Sequence, residues 1–296
     1  MGNVIKLLKG DFIRLFKSKI FWLGVIFMFG FAAMAVFTKW NDSRLDPDYY
    51  NPPDGILLAG ALYLDIVIAA FIGIFIGTDY SNGTIRNKHV MGHSRAAMYL
   101  SNLTVCVTAS LIMHIVNIAV IVGAASIGIT REFDMSMGSV AAQIIISIFS
   151  IAAISAILLF VSMMIPSRSA GAVFAIILSI LLILTASGID SALREKEYKS
   201  PGYTIVSADD GSLVTTPIEP VKNPRYVAGT KRKALEFLND VLPVNQICQL
   251  VYGKPTETSE NAEENNISAF LPLYSLALTA VMTTVGILLF RKKDLK

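Results

Sequence analysis

The sequence is poor in charged residues, cysteine and histidine. Only 16% of its 296 residues are charged, whereas soluble domains average about 25%. The chain has two cysteines, Cys106 and Cys248, and three histidines. The two cysteines lack the paired spacing of a metal site, and a net charge of only +3 gives no electrostatic footprint for nucleic acid. These shortages argue against a cysteine-based metal module and against a nucleic-acid-binding protein.

Common catalytic signatures are missing as well. The chain contains no HExxH sequence, which would place two zinc ligands on one helix, and no GxSxG nucleophile turn. A pair of aspartates within one apolar segment, as an intramembrane protease would need, is also absent from the sequence. We therefore do not expect an enzyme.

Long apolar stretches are what the sequence has in abundance. Hydrophobic residues make up 54% of it and the mean hydropathy is +0.59. Six stretches are long enough to cross about 30 Å of hydrocarbon, and each must be helical because lipid offers no partners to backbone polar groups. These stretches are 20–38, 56–78, 102–128, 138–164, 169–189 and 270–290. The sequence predicts an all-α integral membrane protein of six transmembrane helices.

The positions of lysine and arginine predict the orientation. One set of short segments carries thirteen basic residues: Lys6, Lys9, Arg14, Lys17, Lys19, Arg86, Lys88, Arg95, Arg168, Arg291, Lys292, Lys293 and Lys296. The opposite short loops carry three, Lys39, Arg44 and Arg131. Because short basic loops stay in the cytoplasm, and longer ones such as 190–269 have little influence, we expect a multi-pass cell-membrane protein with both termini cytoplasmic.

Four regions follow from this topology. Residues 1–19 read as an interfacial amphipathic helix that pairs with anionic lipid; the alternative is a basic flank that only sets the topology. Residues 20–189 hold five spans and a cytoplasmic segment at 79–101. Residues 190–269 form a small α+β extracytoplasmic insertion, and residues 270–296 are the sixth span with a basic tail.

The insertion has both strand and helix signals. Two β-prone runs, 203–206 and 213–216, flank the turn residues Asp209-Asp210-Gly211 and predict a hairpin. Helices are predicted near 229–240 and 243–252, separated at Pro243. Nothing in this region indicates which ligand or partner it contacts.

The segment between the second and third spans carries the most specific motif. It reads Gly77-Thr78-Asp79-Tyr80-Ser81-Asn82-Gly83-Thr84-Ile85-Arg86-Asn87-Lys88, and Gly92-His93-Ser94-Arg95 follows. In a protein with six spans, this segment closely resembles the cytoplasmic signature of type-two ABC exporter permeases. That signature has an acidic residue, a Gly-Thr, a basic residue and a later Ser-Arg. The residues that match it are Asp79, Gly83, Thr84, Arg86, Ser94 and Arg95.

The residues themselves are consistent with a coupling element. Ser81-Asn82-Gly83 supplies turn chemistry after the second span, and Thr84 can begin a short helix. Arg86, Lys88 and Arg95 are expected to present donors to the cytoplasm. A solvated basic loop that only follows the positive-inside pattern is the alternative interpretation.

The resemblance implies further subunits. It implies a cytoplasmic ABC ATPase that docks at 79–101, with the motif residues and Lys88 as coupling residues. The chain has no GxxxxGK[ST] sequence with which to bind ATP. We therefore expect no cofactor in this chain, and ATP with Mg in the partner ATPase. The resemblance also implies a dimer with a second permease copy or a paralogue.

Asp65 is the only acidic residue within a predicted span. Counted from the cytoplasmic ends of their helices, Asp65 and His114 both lie about 20 Å deep, with Asn117 one turn beyond. We predict a polar cluster of these three residues between the second and third spans. Such a cluster is either a proton- or substrate-responsive site or an interhelical hydrogen bond, and an Asp65 facing an outer vestibule is a further possibility.

Three small residues, Ala69, Gly73 and Gly77, recur every four positions in the second span. They form one helix face on which a second helix can approach closely. The sequence leaves two partners open for this face: the fifth span of the same subunit or a helix of a second copy.

Two functions remain. The first is the permease subunit of a bacterial ATP-driven exporter, because the resemblance implies export of an amphipathic peptide, an antibiotic or another hydrophobic compound, as in antibiotic-peptide and multidrug systems. The alternative is a non-transporting sensor or immunity protein that binds a ligand through 190–269. Association with an ATPase distinguishes the two.

Overall fold

The computed structural model describes residues 2–46, 48, 50–199, 203–207, 213–217, 220–255 and 268–293. Six helices in these ranges are long and apolar enough to span a membrane, which confirms the predicted all-α membrane fold. The helices are α1 Gly2–Lys17, α2 Lys19–Leu45, α3 Ala59–Ser81, α4 Thr84–Val90, α5 Arg95–Ser126, α6 Met137–Met164, α7 Arg168–Arg194, α8 Gly229–Val241, α9 Pro243–Tyr252 and α10 Leu271–Lys292. A 3₁₀ turn at Pro53–Ile56 precedes α3.

Each spanning helix extends beyond its predicted apolar stretch at one end or at both, although α3 begins at Ala59 instead of residue 56 and α5 ends at Ser126 instead of residue 128. The largest differences are at the start of α5, Arg95 instead of residue 102, and at the end of α2, Leu45 instead of residue 38. Polar residues beyond the hydrocarbon continue the helix, and side-chain caps determine where it begins. Ser94, Ser136 and Ser167 accept the backbone N–H three residues ahead at the starts of α5, α6 and α7.

The spans divide into a central and a peripheral set. At least half of the most apolar segment is buried in the span ending with α3 and in α5 and α6, but less than a third in α2, α7 and α10. The peripheral helices keep large apolar side chains exposed, for example Phe27 on α2 and Phe174 on α7. In a bilayer this exposed surface faces lipid or another protein chain.

The small-residue face of α3 packs against α7 of the same chain. A Cβ atom on Gly73 would lie 2.5 Å from the Cα of Ala172, and one on Gly77 would lie 2.5 Å from the Cα of Arg168. Ala69 is fully buried in the same core. The sequence left two partners open for this face, and in the structure the partner is the fifth span of the same subunit.

The insertion divides into a β part and a helical part. β1 Tyr198–Lys199 pairs antiparallel with β4 Val221–Lys222, and β2 Tyr203–Ser207 pairs with β3 Leu213–Pro217. The predicted hairpin is therefore present, although its turn residues 209–211 lie outside the described residues. Helices α8 and α9 match the two predicted helices and meet at Pro243, the first residue of α9.

Helix α9 is buried among the transmembrane helices, although the sequence places it in a polar insertion. It packs against α3, α6, α7 and α8. Gln246 of α9 is fully buried and forms hydrogen bonds with three other helices. Its Oε1 accepts from Ser150 of α6 (2.6 Å) and from Ser275 of α10 (2.7 Å). Its Nε2 donates to the Asp240 carbonyl of α8 (2.8 Å). These bonds allow a polar helix to enter the bundle.

The close contact between α3 and α7 leads to a prediction. We expect Gly73→Ala to lower the free energy of unfolding by about 1–3 kcal/mol, because the new methyl group would overlap the α7 backbone. Gly188→Ala on α7 is the matched control, since a Cβ there meets nothing within 4 Å. Thermal unfolding of the purified proteins in detergent measures both, and equal stability of the two variants would contradict the packing.

Candidate functional site

The motif segment forms a short helix between two left-handed glycines. Gly83 has φ +67° and precedes α4, and Gly92 has φ +84° and follows it. A residue with a side chain rarely adopts this backbone conformation, which explains glycine at the turn after α3. The chain thereby reverses from α3 into α4 and returns into α5.

Four charged side chains meet where α1 crosses the ends of α3 and α5. Asp11 and Arg14 come from α1, Asp79 from α3 and Lys88 from α4. Lys88 Nζ lies 2.6 Å from Asp11 Oδ1 and 3.5 Å from Asp79 Oδ2, and Arg14 pairs with Asp79 and lies 3.8 Å from Asp11. We call these four residues the ion-pair cluster.

The ion-pair cluster is largely removed from solvent. Asp11, Asp79 and Lys88 are 2%, 1% and 6% exposed, and the Arg14 guanidinium lies 3.9 Å from the centre of the Phe75 ring. Burial lowers the pKa of Lys88 while the Asp11 carboxylate acts in the opposite direction, and burial likewise lowers the pKa of Arg14. Charges buried to this extent are stable only when paired.

The predicted coupling residues have different roles in the structure. Arg86 is exposed on α4, as a partner-facing residue requires. Lys88, which we expected to face the cytoplasm, is buried in the ion-pair cluster because Asp11 and Asp79 lie on that side of α4. Ser94 caps α5. Arg95 donates to the carbonyls of Arg291 (2.8 Å) and Phe290 (3.3 Å), so it caps the end of α10 instead of projecting freely.

Lys293 ties three helices together at the same end of the bundle. Its Nζ donates to the Tyr80 hydroxyl at the end of α3 (2.9 Å) and to the Met163 carbonyl of α6 (2.8 Å). The Tyr80 hydroxyl also donates to the Met163 carbonyl. Burial lowers the pKa of Lys293 to about 8. With Arg95, this residue fixes the sixth span to the α4 end of the protein.

The structure does not join Asp65, His114 and Asn117 by hydrogen bonds. The His114 ring lies 2.8 Å from the Ser147 hydroxyl of α6, and Asn117 donates to the Met28 carbonyl of α2 (3.3 Å). Asp65 instead interacts with Ser179 of α7, without a hydrogen bond of regular geometry. The three side chains point to different neighbours.

Sequence reasoning missed Asp11, and it placed Arg14 among the basic residues near the edge of the expected ATPase docking site without giving it a partner. The sequence does contain a pattern that indicates a role for Asp11. Leu7, Asp11 and Leu15 follow one another at intervals of four, so they share a helix face, and all three are buried. An aspartate within an apolar stripe indicates that a cation from another element lies opposite it.

Two buried aspartates of α3 provide a matched test. Asp79→Asn leaves Arg14 and Lys88 buried with a single counter-charge, so we expect the free energy of unfolding to fall by about 3–5 kcal/mol. Asp65→Asn replaces a carboxyl group that has no cation partner among the described residues. We expect that variant to unfold at the wild-type temperature or above.

Thermal unfolding of both purified variants measures the difference. A stable Asp79→Asn protein would show that the ion-pair cluster does not hold α1 to α4. A marked loss of stability in Asp65→Asn would show that the Asp65 carboxylate has a partner of its own.

The chain matches the model of a known protein family over most of the spans described above. Residues 7–185 match the model of a family described as ABC-2 family transporter protein. The match covers more than half of the chain and includes most of α1, the whole of α4 and most of the fifth span. No curated protein sequence matches the chain.

Proposed function

The chain belongs to the ABC-2 family of transporter proteins, and we propose that it is the membrane-spanning permease subunit of an ABC exporter. The observation that carries the proposal is the mechanical link between α4 and the spans. The ion-pair cluster ties α4 to α1 and α3, and the Ser101 hydroxyl of α5 donates to Asp11 (2.6 Å). A force applied to α4 is therefore transmitted to two spanning helices.

The partner in this proposal is a cytoplasmic ATPase subunit. Family membership supports such a partner in general, and the chain has no Walker A sequence of its own. The outer side of α4 offers a docking surface of exposed residues, namely Arg86, His89, Val90 and Met91. Val90 and Met91 are 79% and 66% exposed, and large apolar side chains exposed beside a cation are typical of a protein-binding surface.

Orientation, assembly and cargo complete the proposal. The basic residues on the α4 side support cytoplasmic termini. The exposed apolar sides of α2, α7 and α10 provide surface for a second permease chain as well as for lipid. The apolar character of the spans supports an amphipathic peptide, an antibiotic or another hydrophobic compound as cargo, moved out of the cell.

Docking is tested by placing a negative charge on the exposed side of α4. We expect Arg86→Glu and Val90→Asp to abolish co-purification of an ATP-hydrolysing, Walker-A-containing subunit from native membranes, because the new carboxylate disrupts the docking surface. Thermal stability is expected to remain at the wild-type value, because both residues lie outside the core. Lys9→Glu, an exposed charge reversal on α1, is the matched control and is expected to keep the partner.

Two results would contradict this proposal. If neither variant reduces recovery of the ATPase, docking does not use α4. If the wild-type chain recovers no ATPase at all from its native membrane, the sensor or immunity function becomes the better explanation of the fold.

A further inference from the structure

A cavity of about 650 Å³, lined by both charged and apolar residues, lies between α1 and α4. This volume is in the range of small-molecule sites. Two walls face each other, one from each helix. The lining residues are Lys6, Leu7, Gly10, Asp11, Arg14, Thr84, Asn87, Lys88, Met91 and His93.

The cavity and the docking surface use different sides of α4. Thr84, Asn87, Lys88 and Met91 are spaced by three and four residues, which places them on one helix side, and all four line the cavity. Arg86, His89 and Val90 do not line it. A ligand in the cavity and a protein on the docking surface can therefore be bound at the same time, with Met91 at the border between them.

Among the described residues, the cavity lining keeps several hydrogen-bond donors that have no partner within the protein. Asp11 is the only carboxylate among the described lining residues. Both of its oxygens already accept: Oδ1 from Lys88 (2.6 Å) and Oδ2 from Ser101 (2.6 Å). Within the described part of the chain, no hydrogen bond or ion pair involves the side chains of Lys6, Thr84, Asn87 or His93. An ammonium, a hydroxyl, an amide and an imidazole thus remain for a ligand that accepts hydrogen bonds.

The charge of the walls indicates a ligand with about one negative charge. The ion-pair cluster has two cations and two anions, so it is neutral as a group. Lys6 then contributes the remaining positive charge of the lining. A phosphodiester has one negative charge and several acceptor oxygens, which matches this lining.

The position of α1 indicates where such a ligand comes from. The other side of α1 exposes the apolar residues Val4, Ile5, Ile13 and Phe16, the pattern of a helix that lies in the membrane interface. The cavity is on the opposite side of the same helix, so an α1 lying in the interface would hold it at the depth of the lipid phosphate groups. We propose that this cavity binds the phosphodiester headgroup of an anionic phospholipid.

Binding is tested on the purified full-length chain in detergent, without any ATPase. Dioctanoyl phosphatidylglycerol is expected to raise the unfolding temperature in a saturable manner, and dioctanoyl phosphatidylcholine, whose headgroup has no net charge, is not. Lys6→Glu and Asn87→Asp are each expected to weaken the phosphatidylglycerol affinity about tenfold or more, as expected for loss of one charge-assisted hydrogen bond. Both residues are exposed, and unfolding without lipid verifies that the variants are folded.

The matched control is Lys9→Glu, because Lys9 is exposed on the same helix but does not line the cavity. We expect it to change the affinity less than twofold. If Lys6→Glu and Lys9→Glu lower the phosphatidylglycerol affinity equally, the lipid is attracted only by the general positive charge of α1, and the proposal is overturned. Equal stabilisation by phosphatidylcholine would overturn it as well.

Two further measurements identify the ligand that fills the cavity. If inorganic phosphate alone gives the full shift and displaces the lipid, the anion site is supported and its ligand is a free anion. If an added ATPase subunit displaces the lipid, the cavity belongs to the protein interface and the lipid proposal fails. Because the first measurements use no ATPase, they stand or fall independently of the transport function.

Discussion

The ion-pair cluster of Asp11, Arg14, Asp79 and Lys88 determines how the α4 end of this protein is built. Each charge is buried, and a buried charge without its partner costs several kcal/mol. The cluster therefore allows only arrangements in which α1, α3 and α4 keep their relative positions. Ser101 adds α5 to the same group through Asp11. The short helix that faces the proposed partner is thus rigidly joined to the bundle, which is the property a coupling element requires.

At the opposite end of the bundle, neutral polar groups join α9 to α6 and α10. Gln246 of α9 forms hydrogen bonds with Ser150 of α6 and Ser275 of α10. A neutral amide costs less to bury than a charge, and its donors and acceptors can all be satisfied by neighbouring hydroxyls and carbonyls. Between the two ends, Gly73 and Gly77 let α3 and α7 approach to backbone contact. Charge, amide hydrogen bonds and close packing therefore stabilise different levels of one bundle.

The two sides of α4 differ: one is suited to binding a protein, and the other lines the cavity. Its exposed side has a cation and apolar side chains suited to a protein partner. Its other side forms a cavity with α1, the helix whose remaining surface is apolar and exposed. Because Lys88 and Asp11 connect the helices, occupation of the cavity and docking on α4 act on the same rigid group. Because the cavity and the docking surface use different sides of α4, a lipid headgroup and an ATPase subunit can be bound at the same time.

The sequence by itself determined the six spans, the helices of the insertion and the hairpin, because hydrocarbon length and backbone hydrogen bonding leave few alternatives for apolar segments. It also located the motif at 79–95 and the close-packing face of Ala69, Gly73 and Gly77. Only the tertiary structure decided which groups meet. Depth along a helix does not specify rotation about its axis, so Asp65 faces Ser179 instead of His114. Lys88 is buried instead of exposed because Asp11, 77 residues earlier in the chain, is brought opposite it by packing of α1.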